Sequence, residues 1–198
     1  MIDRNLSYFI HKSQVLTKDE CESIIQWCDE SKLIESSKVG KFKVDQSIRK
    51  SKTFRIPDNC PYIDLLLQKL NQSFIEYCED HLEDSYFISI QESTRDGYFF
   101  EPLQFTQYDQ SDYYRWHTDQ GSDPKTICRL LSFVLYLNDD FENGGTEFPF
   151  DTYKCKPGEV LIFPSSFLYP HCGQTVQSGT KKIITTWVNN LGVSNGIQ

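Results

Sequence analysis

From about residue 86 the chain breaks into short, aromatic-rich apolar runs parted by turn residues, and this pattern limits its fold more than any other feature. The runs are Leu103–Tyr108, Tyr113–Asp119, Leu130–Leu137, Val160–Phe163 and Lys182–Val188. Between them lie the turn signals Gln110-Ser111, Asn143-Gly144-Gly145, Lys156-Pro157-Gly158 and Ser178-Gly179. Strands this short and this closely spaced predict a sandwich or a jelly-roll barrel. An aromatic share of 14% points the same way, because aromatic side chains suit strands.

The first third reads as helical. Thr17-Lys18-Asp19-Glu20 is a capping box, in which the threonine hydroxyl and the glutamate three residues on satisfy free amide donors. Cys21, Ile24, Ile25 and Cys28 follow at helical spacing. Pro61 suits the first position of a second helix, whose apolar stripe is Ile63, Leu66, Leu67, Leu70 and Phe74. Both helices are expected to cover one face of a sheet. The segment Asp29–Thr53, rich in serine and lysine, reads as a flexible surface flank. The expectation is thus one domain over residues 1–198, mainly β with flanking helices (α+β). Its helical part spans about residues 1–85 and its barrel core about 86–190.

Several function classes are disfavoured. No apolar run approaches the roughly 20 residues that cross a bilayer, and MIDRNLSYFI lacks a signal-peptide layout. A soluble, cytoplasmic protein with no membrane partner is expected. A net charge of −8 argues against a nucleic-acid backbone as partner, because phosphate binding wants a basic face. The seven cysteines are odd in number, irregular in spacing and free of any CxxC pair. That favours buried, reduced thiols over a zinc site or a disulfide framework.

Four histidines leave few ways to build a reactive site. His117-Thr118-Asp119 sets an imidazole and a carboxylate two residues apart, which on a strand places both on one face. With 28 acidic residues among 198, that spacing alone is commonplace. His81-Leu82-Glu83 repeats it at a helix end, where residues i and i+2 diverge. His81 and the isolated His11 therefore read as solvated surface residues. His117 differs because His171 follows in the strand-like run Phe167-Leu168-Tyr169-Pro170-His171. Two histidines and one carboxylate make the facial triad that suits non-haem iron(II) and leaves coordination positions open.

Ten residues beyond His171 stands Lys181. A hairpin turning at Ser178-Gly179-Thr180 would carry it back beside the metal, where a cation could pair with the far carboxylate of a chelating dicarboxylic acid. Alternation then puts Lys181, Ile183, Thr185 and Trp187 on one inward face and sends Lys182 to the surface.

Over about residues 85 to 190 the chain resembles the iron(II)/2-oxoglutarate oxygenases, within them the prolyl 4-hydroxylase-like group. The likeness rests on Tyr108-x-x-Ser111-x-x-Tyr114-x-x-His117-x-Asp119, the run Arg129–Asn138, Asn143-Gly144-Gly145-Thr146-Glu147-Phe148, Lys156–Pro164, and His171 with Lys181 and Trp187. It implies a double-stranded β-helix, a jelly-roll barrel with N-terminal helices packed on one sheet and iron(II) at its mouth. His117, Asp119 and His171 match the metal ligands. Lys181 matches the residue that pairs with the 2-oxoglutarate C5 carboxylate. Tyr108, Tyr136 and Thr185 match positions that contact the cosubstrate or line its pocket, and Trp187 matches an aromatic near the ligands. Core packing is the competing reading for both tyrosines and for Trp187. Ser111 departs from the family, which commonly has glycine there; this matters only if the position needs φ > 0.

The implied reaction converts 2-oxoglutarate and O2 to succinate and CO2 while hydroxylating an unactivated C–H bond, with ascorbate as reductant. Asp119 favours hydroxylation, since halogenating relatives lack that carboxylate. A prolyl residue in a peptide or protein is the expected substrate. A free amino acid, another protein side chain or a cupin-like enzyme without 2-oxoglutarate are the alternatives. Arg115 shares a strand face with His117 and reads either as a substrate contact or as a surface ion pair.

Overall fold

In the computed structural model the described residues are 6–31, 35–36, 45–82, 99–124 and 126–189. After a 3-10 turn at Leu6–Phe9 come β1 (His11–Gln14), α1 (Lys18–Glu30), β2 (Glu35–Ser36), β3 (Arg49–Lys50), β4 (Lys52–Arg55) and α2 (Ile63–His81). Then follow β5 (Phe99–Phe100), β6 (Gln104–Tyr108), β7 (Tyr113–His117), β8 (Arg129–Tyr136), β9 (Phe141–Asn143), β10 (Thr146–Phe148) and β11 (Asp151–Tyr153). The last four are β12 (Glu159–Pro164), β13 (His171–Gly173), β14 (Val176–Gly179) and β15 (Lys181–Asn189).

The major sheet runs β1-β12-β8-β15-β6-β4-β2, with β5 also pairing β15. The minor sheet runs β11-β10-β13-β7-β3, and β14 pairs β9 separately. Period-two alternation sorts the central strands between two cores. Leu131, Phe133 and Leu135 of β8, Val160 and Ile162 of β12, and Ile184 and Val188 of β15 pack with Ile24, Leu66, Leu70 and Phe74 of the helices. The alternate residues Val134, Tyr136, Leu161, Phe163 and Ile183 face Phe148 and Tyr114 of the minor sheet. Three layers result, helices on sheet on sheet, and both helices cover one face of the major sheet as expected. Among the described strands hydrogen bonding does not close into a single barrel; the sheets remain separate.

The capping box forms as read, with the Thr17 hydroxyl accepting from the Glu20 amide and the Glu20 carboxylate accepting from the Thr17 amide. Helix α2 begins at Ile63 rather than Pro61, with Tyr62 at its N-cap. All seven cysteines are free, and six are buried.

Three expectations need correction. The first third also supplies strands: β1 borders β12, β4 borders β6, and β3 reaches across to β7 of the minor sheet. Asp29–Thr53 is not a loop throughout, since Asp29 lies in α1 and residues from Arg49 on enter β3 and β4; residues 32–34 and 37–44 lie outside the described residues. These strands are too short and too polar to show an apolar alternation. The hairpin from His171 to Lys181 is also absent. β13 pairs β7 and β10, β14 pairs β9, and β15 enters the major sheet between β8 and β6. Lys182 turns away from Lys181 as expected, yet it is mostly covered and pairs with Asp29 at 2.6 Å.

Ser111 sits at φ +70°, in the left-handed region. A residue with a Cβ is strained there by about 1–2 kcal/mol, while glycine loses more backbone entropy on folding. Ser111→Gly is therefore expected to stabilise the protein by up to about 1 kcal/mol. A urea midpoint that rises at unchanged slope would show it.

Candidate metal and cosubstrate site

His117 ends β7 and His171 opens β13, and the antiparallel register sets the two directly opposite. Their ring centroids lie 4.3 Å apart. Asp119, two residues past the strand end, turns its carboxylate between them: Oδ1 is 3.6 Å from His117 Nε2 and Oδ2 is 3.7 Å from His171 Nε2. Three donors thus lie within 4.8 Å of one another.

Each imidazole is oriented from behind. His117 Nδ1 meets the Arg115 carbonyl at 2.8 Å, and His171 Nδ1 meets the Tyr169 carbonyl at 3.1 Å. A carbonyl only accepts, so each Nδ1 carries the proton and each Nε2 presents its lone pair to the cavity. The Tyr114 ring stacks on His117 at 3.6 Å, while Phe163 and Phe148 hold His171 at 4.7 and 5.6 Å. Burial pushes His171 down to about 4, so its ring is neutral at ordinary pH. Burial would raise the Asp119 carboxyl, but the neighbouring imidazoles of His171 and His117 and a hydrogen bond from Ser132 hold it low, and it stays ionised. Two neutral nitrogens and a carboxylate oxygen on one side, with the opposite side open, fit a hard-to-borderline divalent ion such as iron(II).

Lys181 is 2% exposed and lines the same cavity as the triad. Its ammonium donates to the Gly144 carbonyl at 2.6 Å and to the Tyr136 hydroxyl at 3.4 Å, beneath the Tyr108 and Tyr136 rings. Among the described residues no carboxylate pairs with it. Burial pushes its pKa from the ordinary 10.5 to about 7. A buried cation of this kind is costly unless an anion joins it.

Tyr108, Thr185 and Trp187 line the cavity as read from the sequence, whereas Tyr136 lies behind it and acts on Lys181 through its hydroxyl. That hydroxyl also pairs with Thr146 Oγ1 at 2.8 Å. Arg115 is exposed, its guanidinium 5.8 Å from the Tyr113 ring and away from the cavity. Two arginines escaped the sequence reading. Arg129 forms a bidentate pair with Glu101 at 2.7 and 2.6 Å, donates to the Asp119 carbonyl at 3.3 Å and covers the Trp187 ring at 3.6 Å. It braces the loop that carries Asp119. Arg49 reaches the cavity from β3, donating to Ser51 and Thr106 over the Tyr114 ring. Neither could have been placed without the pairing of distant strands.

A cavity that gathers a His-Asp-His set and a buried lysine fits a metal-dependent oxygenase. Residues 103–189 match the model of the 2OG-Fe(II) oxygenase superfamily. A relative in Acanthamoeba polyphaga mimivirus, provisionally assigned as a prolyl 4-hydroxylase, is 27% identical over 194 residues, covering 88% of this chain and 71% of its own. Among solved structures, the collagen prolyl hydroxylase of Paramecium bursaria Chlorella virus-1 superposes with a TM-score of 0.64 at 23% identity, covering 91% of this chain and 95% of the other. A Trichoplax adhaerens prolyl hydroxylase, solved with a peptide fragment of hypoxia inducible factor, gives 0.73 at 16% identity, covering 97% and 89%. At these identities the structural likeness speaks for the fold.

Proposed function

We propose that the protein hydroxylates a prolyl residue in a peptide or protein, with His117, Asp119 and His171 holding iron(II) and Lys181 holding 2-oxoglutarate. The observation that carries this reading is the buried ammonium of Lys181, with no carboxylate against it among the described residues, on the wall of the cavity that the three donors face. A dicarboxylic acid would satisfy it with one end and leave the other for the metal. Iron bound there would couple oxidative decarboxylation of 2-oxoglutarate by O2 to oxygenation of a substrate C–H bond. Tyr136 and the Gly144 carbonyl hold the lysine in place, Tyr108 and Thr185 confine the cosubstrate, and the aromatic packing around both histidines excludes water. A cupin-like enzyme without 2-oxoglutarate has no use for Lys181 in this position.

A polymeric substrate is favoured by what surrounds the ligands in sequence. Trp116, Phe167 and Leu168 are 50%, 77% and 51% exposed, one to four residues before His117 and His171. A contiguous apolar patch exposed to solvent marks a surface that binds other chains, and these three side chains are the candidates for one. Ascorbate as reductant and a cytoplasmic setting belong to the same proposal. Among the described residues no helix is long and apolar enough to cross a membrane.

The test is incubation with iron(II), 2-oxoglutarate and ascorbate, with either proline-rich peptides or free proline. Succinate released in step with a one-oxygen mass gain on a peptide proline is expected. Coupled turnover on the free amino acid alone would overturn the peptide assignment, and absence of 2-oxoglutarate turnover with every substrate would overturn the chemistry.

A further inference from the structure

The two histidines that read as solvated surface residues meet in the fold. His11 opens β1, the edge strand of the major sheet, and His81 closes α2, 70 residues away. His11 Nδ1 lies 3.3 Å from His81 Nε2 and 3.7 Å from Asp80 Oδ2. Among the described residues, only this group and the catalytic triad bring three such donors within 4.8 Å. Donors on bonds of about 2.0–2.1 Å at a tetrahedral angle stand roughly 3.3 Å apart, so the histidine spacing is that of one edge of a zinc coordination sphere.

A hydrogen bond between the rings does not by itself satisfy both of them. It places one proton between them, and the other must then sit on His11 Nε2 or His81 Nδ1, both buried with no hydrogen-bond partner among the described residues. A metal draws on a lone pair from each ring instead, and metal bonds outweigh the cost of the outer N–H groups. The surroundings favour a cation. Asp80 and His81 are the last residues of α2, where helix carbonyls concentrate negative potential, and the Glu76 carboxylate also acts on His11. Burial holds both imidazoles below their ordinary pKa, so their lone pairs are available near neutrality. Tyr77 and Tyr8 pack against the His81 ring at 4.8 and 5.2 Å and fix its direction. The Asp80 side chain is 62% exposed, so the ion can enter and water can complete its shell.

We propose that His11, Asp80 and His81 form a second metal site, for zinc or a similar borderline divalent cation, which clamps the edge strand β1 to the end of α2. The site is separate from the candidate iron centre and carries no part of the oxygenase reaction. Closing a loop of this length through a metal stabilises the folded state.

The test is equilibrium dialysis of the full chain against micromolar zinc(II), followed by metal analysis. Four chains are compared: the unchanged protein, His11→Gln, His81→Gln and the double variant His117→Ala/Asp119→Ala. Two zinc ions per unchanged chain and one in each variant are expected. Zinc should also raise the melting temperature of the His117→Ala/Asp119→Ala chain, which keeps the clamp but not the triad. That last chain decides the matter even if His11→Gln or His81→Gln fails to fold. If it binds no zinc, or if zinc counts in folded His11→Gln and His81→Gln equal that of the unchanged chain, the second site does not exist.

Discussion

Replacing His171 by alanine is expected to lower 2-oxoglutarate turnover by more than about 10³-fold, with Asp119→Ala and His117→Ala close behind. Loss of a hydrogen-bond partner behind a metal ligand typically costs about 10–100-fold, and loss of the ligand itself costs more. His171 is the sharpest probe because its ring is buried, packed by Phe163 and Phe148, and set against His117 across the strand pair. Water entering the space left behind would be a poor substitute for a fixed nitrogen. The measurement is succinate formation at saturating iron(II), alongside iron binding in the absence of O2. Chelating the metal from the unchanged protein should remove turnover, and added iron(II) should restore it. A folded His171→Ala chain that keeps normal turnover would sink the metal assignment.

The second large effect belongs to Lys181. Its folded pKa of about 7 lies below the ordinary 10.5, so between those values the unfolded chain binds more protons than the folded one. Stability of the ligand-free protein should therefore rise with pH from about 7 towards 10.5, by a few kcal/mol at most. Binding of 2-oxoglutarate has the opposite sign. A carboxylate beside the ammonium favours its charged form, so affinity should be highest below pH 7 and fall by up to about tenfold per pH unit above it. Lys181→Met keeps the length of the side chain and removes the charge. It should weaken 2-oxoglutarate binding by on the order of 10²–10³-fold and flatten the pH profile. An anaerobic titration with iron(II) and 2-oxoglutarate, read by the visible charge-transfer band, supplies both numbers. Equal affinity in Lys181→Met across pH 6.5 to 8.5 (about the window that decides it) would remove Lys181 from the cosubstrate site.

The core strands were legible because burial on both faces writes apolar character at every position. β8 and β12 read as continuous Leu-Leu-Ser-Phe-Val-Leu-Tyr and Val-Leu-Ile-Phe runs and appear within a residue or so of where they were expected. Strands β1 and β3 carry His-Lys-Ser-Gln and Arg-Lys, and edge positions of this kind leave no apolar trace. That His117, Asp119 and His171 come together was legible from residue type, order and the family resemblance. Its companions were not: Arg129 and Arg49 reach the site by strand pairing between distant segments, which order along the chain does not encode. The route of Lys181 was misjudged for the same reason, since neighbours in sequence here belong to different sheets. His11 and His81 were read as solvated because neither segment alone shows the other.

Strand β15 divides its residues by parity. Lys181, Ile183, Thr185 and Trp187 look into the cavity, while Ile184 and Val188 grip the helices and Thr186 donates to the Glu101 carbonyl. Odd numbers answer to the reaction and even numbers to the scaffold. A change at the half-buried 185 can therefore reshape what the cavity accepts without loosening its foundations, one at 184 or 188 does the reverse, and Ile183 serves both because it also packs between the sheets. Through this one strand, a lineage can try new substrates while its architecture stands still.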